Sequence, residues 1–124
     1  MTYRAITYEV RDGTGLLTLN RPAQRNALDL DMREEISDVV ARVRREGGIH
    51  ALVMTGAGGA FCAGGDLKAL TESERPVPVN RERIRRLHTW FAELVNLELP
   101  VIAAVDGPAF GAGFNLALAA DFIL

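Results

Sequence analysis

The chain has 124 residues, a length that fits one domain or part of one. Its 14 lysine and arginine residues against 16 aspartate and glutamate residues leave a net charge of −2. This balance argues against a nucleic-acid-binding module, which normally has a clear basic excess. Hydrophobic residues make up 48 % and charged residues 24 %, as in ordinary folded proteins. The single cysteine, Cys62, excludes an internal disulfide and, with only two histidines, a zinc cluster.

The location of the protein follows from two features of its sequence. Apolar runs are all far shorter than the roughly 20 residues that a bilayer-spanning helix needs. The first residues lack the charged and apolar regions of a signal peptide. We therefore expect a cytoplasmic protein with no nucleic-acid partner, no membrane partner and no metal site.

The first half of the chain predicts a hairpin, a helix and a strand. Residues 3–10 alternate between apolar and polar side chains, and a glycine-containing turn leads to a second strand over 16–19. Asp29 is placed to cap a helix whose apolar residues recur at helical spacing, and Gly47 is placed to end it. The apolar run 51–55 predicts a strand that is buried on both faces.

The second half predicts a helix, a strand, a short helix and the start of another strand. Residues 71–80 include two prolines, which predict an irregular segment. The apolar stripe of the following helix is assigned to Ile84, Leu87, His88, Phe91, Leu94 and Val95. A histidine on that stripe favours a buried, structural His88. The run 101–105 predicts a buried strand, 114–120 a wholly buried short helix, and 121–124 the next strand.

Glycine is clustered in this sequence. Eight of the 12 glycines fall in two short loops, 56–65 and 107–113. The alternation of strands and helices predicts an α/β fold with a mainly parallel inner sheet, in which both loops follow strands and lie at one edge. Without a Cβ, their backbone N–H groups can approach a ligand oxygen closely. Two such loops can therefore supply two N–H donors to one carbonyl oxygen, or they can serve only as tight turns.

Nucleotide-binding motifs fit the first loop poorly. Gly56-Ala57-Gly58 follows a strand as in a dinucleotide-binding fingerprint, but the residues after it do not predict the start of a helix. A Walker loop is excluded because the sequence has no Gly-Lys-Ser or Gly-Lys-Thr.

Several motifs together resemble the enoyl-CoA hydratase/isomerase (crotonase) superfamily. In family order they are Asn20-Arg21-Pro22 with Asn26-Ala27-Leu28, then Ala60-Phe61-Cys62-Ala63-Gly64-Gly65-Asp66-Leu67-Lys68, then Pro100-Val101-Ile102-Ala103-Ala104-Val105-Asp106-Gly107 with Gly111-Ala112-Gly113. The combination spans nearly the whole chain and is specific for the superfamily but not for one reaction. It implies a crotonase-like (ClpP/crotonase) α/β fold, a spiral of ββα units with a parallel inner sheet.

The resemblance also predicts the extent of the domain. Family chains are much longer, so we expect residues 1–124 to be the N-terminal part of a single crotonase-like domain. The C-terminal half, with a second catalytic carboxylate and most of the trimer interface, would then be absent. A homotrimer or hexamer is implied for the full-length protein.

The activity implied by the resemblance is acyl-CoA chemistry through a thioester enolate. It would be hydration of 2-enoyl-CoA or double-bond isomerisation, in a role such as fatty acid metabolism. The backbone N–H groups of Gly65 and Ala112 would form the oxyanion hole. The substrate- and CoA-binding positions implied are Arg25, Ala27, Ala63, Gly65, Asp66, Leu67, Lys68, Gly111, Ala112, Gly113 and Asn115. No permanently bound cofactor is implied, since coenzyme A enters as part of the substrate.

Asn115 keeps alternatives open because it stands where the family's hydratases carry a glutamate. An amide cannot act as a general base, so Asn115 argues against hydration by a mechanism that uses two glutamates. Hydration and isomerisation are both kept as alternatives. A different class, a non-catalytic CoA-binding or truncated remnant, is favoured by Asn115 and the missing half, whereas retention of both glycine loops favours an enzyme. Arg25 and Lys68 either pair with CoA phosphates or are solvated charges. For Asp66 a structural role is the preferred interpretation, and Cys62 is interpreted as a small buried residue.

Overall fold

The computed structural model describes residues 2–66 and 75–124. Within these ranges the chain forms five strands and three α-helices, with a short 3-10 helix at Pro22–Gln24. In chain order they are β1 (Ile6–Arg11), β2 (Thr14–Leu19), α1 (Leu30–Arg45), β3 (Ala51–Gly56), α2 (Val77–Val95), β4 (Val101–Ala104), α3 (Ala112–Leu118) and β5 (Phe122–Ile123). None of the helices in the described ranges is long and apolar enough to cross a membrane.

The strands form one sheet in the order β1-β2-β3-β4-β5. The first two strands pair antiparallel as the predicted hairpin, and each later pair is parallel, which confirms the mainly parallel inner sheet. Leu52 and Met54 of β3 are fully buried, but Val53 and Thr55 on the opposite face are partly exposed. The prediction that this strand is buried on both faces is therefore wrong. The carboxyl ends of β3 and β4 meet at one edge, where both glycine loops begin.

Helix α1 covers one face of the sheet and starts where the sequence predicts. The carboxylate of Asp29 accepts a hydrogen bond of 2.9 Å from the Met32 N–H, as an N-cap does. The buried apolar face consists of Met32, Ile36, Val39, Val40 and Val43. Glu35 is buried beside them, where its carboxylate accepts the backbone N–H groups of Arg4 and Ala5. These bonds attach the start of the chain to α1.

Helix α2 begins earlier than the prolines of 71–80 predict. It starts at Val77 with Pro78 in its first turn. Backbone N–H groups in the first turn have no acceptor within the helix, so proline, which lacks this group, is tolerated there. The predicted irregular segment is therefore wrong from Val77 onwards, and residues 71–74 lie outside the described ranges. Ion pairs Arg86–Glu34 (2.6 Å) and Arg44–Glu93 (3.3 Å) link α2 to α1.

The buried face of α2 is rotated from the predicted stripe. Trp90, which the prediction omits, and Leu94 are buried, whereas Ile84 and Val95 are more than half exposed. His88 is also exposed, so its assignment as a core histidine was wrong. Apolar residues occur on most sides of this helix, so tertiary packing, including its contact with α1, decides which of them is buried.

Helix α3 is short and only partly buried. Gly113, Leu116 and Ala117 face the interior, but Phe114 and Leu118 are 53 % and 54 % exposed, which contradicts the predicted wholly buried helix. A seven-residue helix that rests on a sheet and a loop has one buried stripe, and the other side chains face outward.

Candidate functional site

The two glycine loops are hydrogen-bonded to each other. Cys62 and Ala109 form a parallel bridge between them. The N–H groups of Phe61 and Cys62 donate to the Pro108 carbonyl at 3.0 and 3.2 Å, and the Phe110 N–H donates to the Cys62 carbonyl at 3.0 Å. The prediction that both loops lie at the same end of the sheet is therefore confirmed, and they form one continuous, hydrogen-bonded backbone surface.

Two glycines make this contact possible. A methyl group on Gly113 would lie 2.2 Å from the Cys62 carbonyl oxygen, so only glycine fits where α3 meets the first loop. Gly64 has a φ of +98°, and a methyl group there would lie 2.8 Å from the Phe110 carbonyl oxygen. These glycines do more than turn the chain, because they allow the backbones of the two loops to touch.

The Gly65 and Ala112 N–H groups are left without backbone acceptors. Leu28 bonds to both neighbours of Gly65, accepting from Asp66 N–H at 3.2 Å and donating to Gly64 O at 2.7 Å. In a parallel bridge the Gly65 N–H then points away from Leu28. Ala112 is the first residue of α3, where the helix supplies no acceptor. Within the described residues neither N–H donates to a backbone carbonyl.

The chain segments that carry these two N–H groups lie next to each other. A methyl group on Gly64, the residue before Gly65, would lie 3.7 Å from the Ala112 nitrogen. The first residue of α3 therefore lies beside the end of the first glycine loop. This arrangement can present two backbone donors to one small ligand group.

Other predicted binding positions lie along the same loop. The Ala63 N–H donates to the Arg25 carbonyl at 3.0 Å, so the segment with Arg25 and Ala27 runs beside Ala63 to Asp66. Arg25 is exposed, with a left-handed backbone at φ +51°, whereas Ala27 is 8 % exposed. The structure thus brings Arg25, Ala27, Ala63, Gly65 and Asp66 together.

The remaining predicted positions divide into two groups. Gly111 and Asn115 are exposed beside Ala112 on the second loop and α3. Leu67 and Lys68 lie outside the described residues, and their predicted roles stay predictions.

A cavity of about 360 Å³ opens next to Ala112. It is lined by Leu87, His88 and Phe91 of α2 and by Ala112 and Asn115 of α3. The apolar spacing of α2 did not reveal His88 as a site residue, because it predicts this side chain in the core. The spacing of His88 from Leu87 and Phe91 could have indicated a shared helix face, but not what that face meets.

Comparison with known proteins establishes the family. The family model described as Enoyl-CoA hydratase/isomerase matches residues 9–124. The chain belongs to this family, within the crotonase superfamily. The crotonase-like fold predicted from the sequence is thereby confirmed.

Individual relatives agree with this assignment. The chain is 42 % identical over 125 residues to a "Probable enoyl-CoA hydratase" of Rhodobacter capsulatus, covering 100 % of this chain and 47 % of that protein. It is 43 % identical over 116 residues to a carnitinyl-CoA dehydratase of Escherichia coli, covering 92 % of this chain and 43 % of that protein. A crystal structure of an enoyl-CoA hydratase/isomerase from Xanthobacter autotrophicus Py2 superposes with a TM-score of 0.92 at 37 % identity. The match covers 98 % of this chain and 46 % of that one. The chain thus spans about half the length of these relatives.

Arg21 connects the first motif of this crotonase-family chain to its first glycine loop. Its guanidinium lies 3.2 Å from Asp66 and 3.4 Å from Asp29, and it donates to the Ala27 carbonyl at 2.5 Å. The side chains of Arg21 and Asp66 are only 18 % and 15 % exposed. The ion pair with Arg21 gives Asp66 the structural role that the sequence favours. The Asn-Arg-Pro motif did not reveal this contact, since its partner lies 45 residues away.

Asn26 is the second residue whose role the sequence did not reveal. It is fully buried, and its side-chain amide donates to the carbonyls of Ala57 and Ala60 at 3.0 and 2.9 Å. Its side-chain oxygen accepts the Arg21 N–H at 2.8 Å. One side chain therefore satisfies three backbone groups and ties residues 20–26 to the first glycine loop.

Asn26→Gly is expected to lower the free energy of unfolding by about 2–4 kcal/mol, because buried backbone groups lose their hydrogen bonds. Glycine is the appropriate replacement, since the φ of +58° at this position would strain most other residues. Urea unfolding monitored by circular dichroism measures the change. Asn20→Gly, at an exposed asparagine of the same motif, is the matched control and should cost much less. Equal losses in the two variants would contradict this role of Asn26.

Cys62 is a buried structural residue, as predicted. It is fully buried, and burial raises the pKa of its thiol, although the Gly64 backbone and Arg33 partly oppose that rise. The thiol therefore stays protonated near neutral pH and is a poor nucleophile. Its contribution to the site is its backbone, which joins the two loops.

Proposed function

We propose that the protein binds acyl-CoA thioesters and stabilises their enolates, as an enzyme that hydrates 2-enoyl-CoA or isomerises its double bond. The observation that supports this most is the pair of backbone N–H groups at Gly65 and Ala112, on adjoining loops and without backbone acceptors among the described residues. Membership in the enoyl-CoA hydratase/isomerase family supports the substrate class.

The proposed mechanism depends on where negative charge develops. When a proton leaves the carbon next to a thioester, the electron pair moves into the C–C bond and charge accumulates on the carbonyl oxygen. The N–H groups of Gly65 and Ala112 would hold that oxygen throughout. Because both belong to hydrogen-bonded loops, they need not reorganise as the charge grows. One such donor is typically worth roughly 2.7–4 kcal/mol of barrier.

Two basic residues are proposed to bind the CoA part of the substrate. Arg25 is exposed beside the first loop, where its side chain is free to reach a CoA phosphate, and Lys68 is proposed for the same task. No other cofactor is proposed, and the complete protein is proposed to be a cytoplasmic homotrimer or hexamer. The match to relatives named as hydratases and a dehydratase supports a lyase, while Asn115 in place of a carboxylate supports an isomerase.

Solvent exchange of the α-protons tests the proposal. The protein is incubated with butanoyl-CoA in D₂O, and the α-proton signal is followed by NMR. We expect its loss well above the buffer rate, together with saturable binding of butanoyl-CoA. The matched control ligand is the S-butyl-CoA thioether, which lacks the carbonyl oxygen and should bind about tenfold more weakly if two N–H groups hold that oxygen.

The same assay separates the two classes of function. Binding of butanoyl-CoA without exchange would support a non-catalytic CoA-binding protein. Absence of both binding and exchange would contradict acyl-CoA chemistry altogether.

A further inference from the structure

The cavity beside Ala112 is formed by one face of α2 and the first turn of α3. Leu87, His88 and Phe91 share one side of α2, while Ala112 and Asn115 share one side of α3 because they are three residues apart. The cavity of about 360 Å³ therefore includes one of the two proposed oxyanion residues in its wall. Because Ala112 lines this cavity, a ligand whose oxygen is bound by the Ala112 N–H lies beside it.

The walls of this cavity contain one proton-transfer group. Among its described lining residues, His88 is the one whose side chain can take up and release a proton, since the others are Leu87, Phe91, Ala112 and Asn115. Histidine is also the side chain that ordinarily gains and loses a proton near neutral pH. His88 is exposed rather than packed in the core, so its ring is accessible to a ligand.

From this arrangement we propose that His88 is the group that takes the α-proton of the bound acyl-CoA and returns it, an inference that rests on the proposed function. A nitrogen of the neutral imidazole removes the proton from the α-carbon. The electron pair of that C–H bond forms the C–C double bond of the enolate, and the charge moves to the oxygen held by Gly65 and Ala112. The imidazolium then delivers its proton to the α-carbon, or to the γ-carbon of an enoyl chain, and is neutral again.

This inference favours isomerisation over hydration. One imidazole that removes a proton at one carbon and delivers it to another completes a double-bond shift without a second acid or base. Asn115, on the opposite wall, does not titrate and instead offers an amide that can hydrogen-bond the imidazole or a water molecule. The substrate class is therefore a 3-enoyl-CoA with its 2-enoyl isomer.

His88→Gln tests the inference in the D₂O exchange assay. We expect exchange to fall by roughly 100-fold or more, because an amide cannot carry the proton, while the Kd for butanoyl-CoA changes by less than about threefold. His50→Gln is the matched control, since His50 is the other histidine and does not line this cavity. Its backbone N–H donates to the Gly13 carbonyl, a bond that the substitution leaves in place. That variant should exchange at the wild-type rate.

The outcomes are distinguishable from those of the proposed function. Wild-type exchange in His88→Gln would overturn the role of His88 and leave acyl-CoA chemistry intact. Failure of the wild-type protein to exchange α-protons would overturn both. If His88→Gln lost butanoyl-CoA binding, His88→Ala with added imidazole decides: recovery of exchange supports His88 as the proton carrier, and no recovery overturns it.

Discussion

Ala112→Pro is expected to slow α-proton exchange by roughly 100- to 1,000-fold, the typical cost of removing one oxyanion donor. Proline lacks the N–H that we propose binds the thioester oxygen. Ala112 is the first residue of α3, the helix position that tolerates proline best, so the fold should survive the change. The exchange rate is measured by NMR, and unfolding by urea verifies that stability is retained.

Ala112→Gly is the matched control for this substitution. It shortens the same side chain but keeps the N–H, so exchange should stay within a few-fold of wild type. An Ala112→Pro protein that is folded and exchanges α-protons at the wild-type rate would refute the oxyanion assignment of Ala112.

Gly64→Ala is expected to separate the two glycine loops and to impair both stability and catalysis. Its methyl group would lie 2.8 Å from the Phe110 carbonyl oxygen, so the loops must move apart. We expect a loss of about 2 kcal/mol beyond the backbone strain of a positive φ, as for other overpacked sites. Exchange should fall by roughly 100-fold, since a displacement near 1 Å can cost that much.

Gly59→Ala separates the effect of the steric clash with Phe110 from the effect of backbone strain at a positive φ. Gly59 has a similar φ of +87°, but a methyl group there meets nothing within 4 Å. Both variants therefore carry the cost of a left-handed alanine, and only Gly64→Ala disturbs the second loop. Urea unfolding and α-proton exchange are compared for the two. If the two variants had the same stability and the same exchange rate, contact between the loops would not determine the geometry of the site.

The parts of the fold that the sequence predicts well are those with local signals. Alternating side chains and a turn specify the β1–β2 hairpin, and Asp29 specifies the start of α1. The short apolar run at 101–105 identifies β4 within one residue. In each of these elements the deciding interactions lie within a few residues along the chain.

The rotation of α2 shows where local signals fail. Apolar residues are distributed around this helix, so periodicity alone does not distinguish a face with Ile84 and Val95 from one with Trp90 and Leu94. Packing against α1 accompanies burial of the second face. The same rotation moves His88 from the predicted core to the cavity beside Ala112, and so a single error in helix orientation concealed a candidate site residue.

The site itself was predictable in part. Clustered glycines identify both loops, because positions where two backbones approach closely require glycine and so are visible in the sequence. Arg21 and Asn26 act across more than 30 residues of chain, on Asp66 and on the carbonyls of Ala57 and Ala60. Nothing in the residues around them specifies these partners, and only the folded chain reveals them.

Infrared spectroscopy of a labelled ligand reports whether two backbone N–H groups hold one thioester oxygen. Butanoyl-CoA with a ¹³C-labelled carbonyl is bound to the protein, and the isotope-edited C=O stretch is compared with that of the free ligand. Two hydrogen bonds withdraw electron density from the C=O bond, so we predict a shift to lower frequency that is reduced in Ala112→Pro. A bound thioester whose stretch stays at the free-solution frequency would show that the two N–H groups do not hold its oxygen.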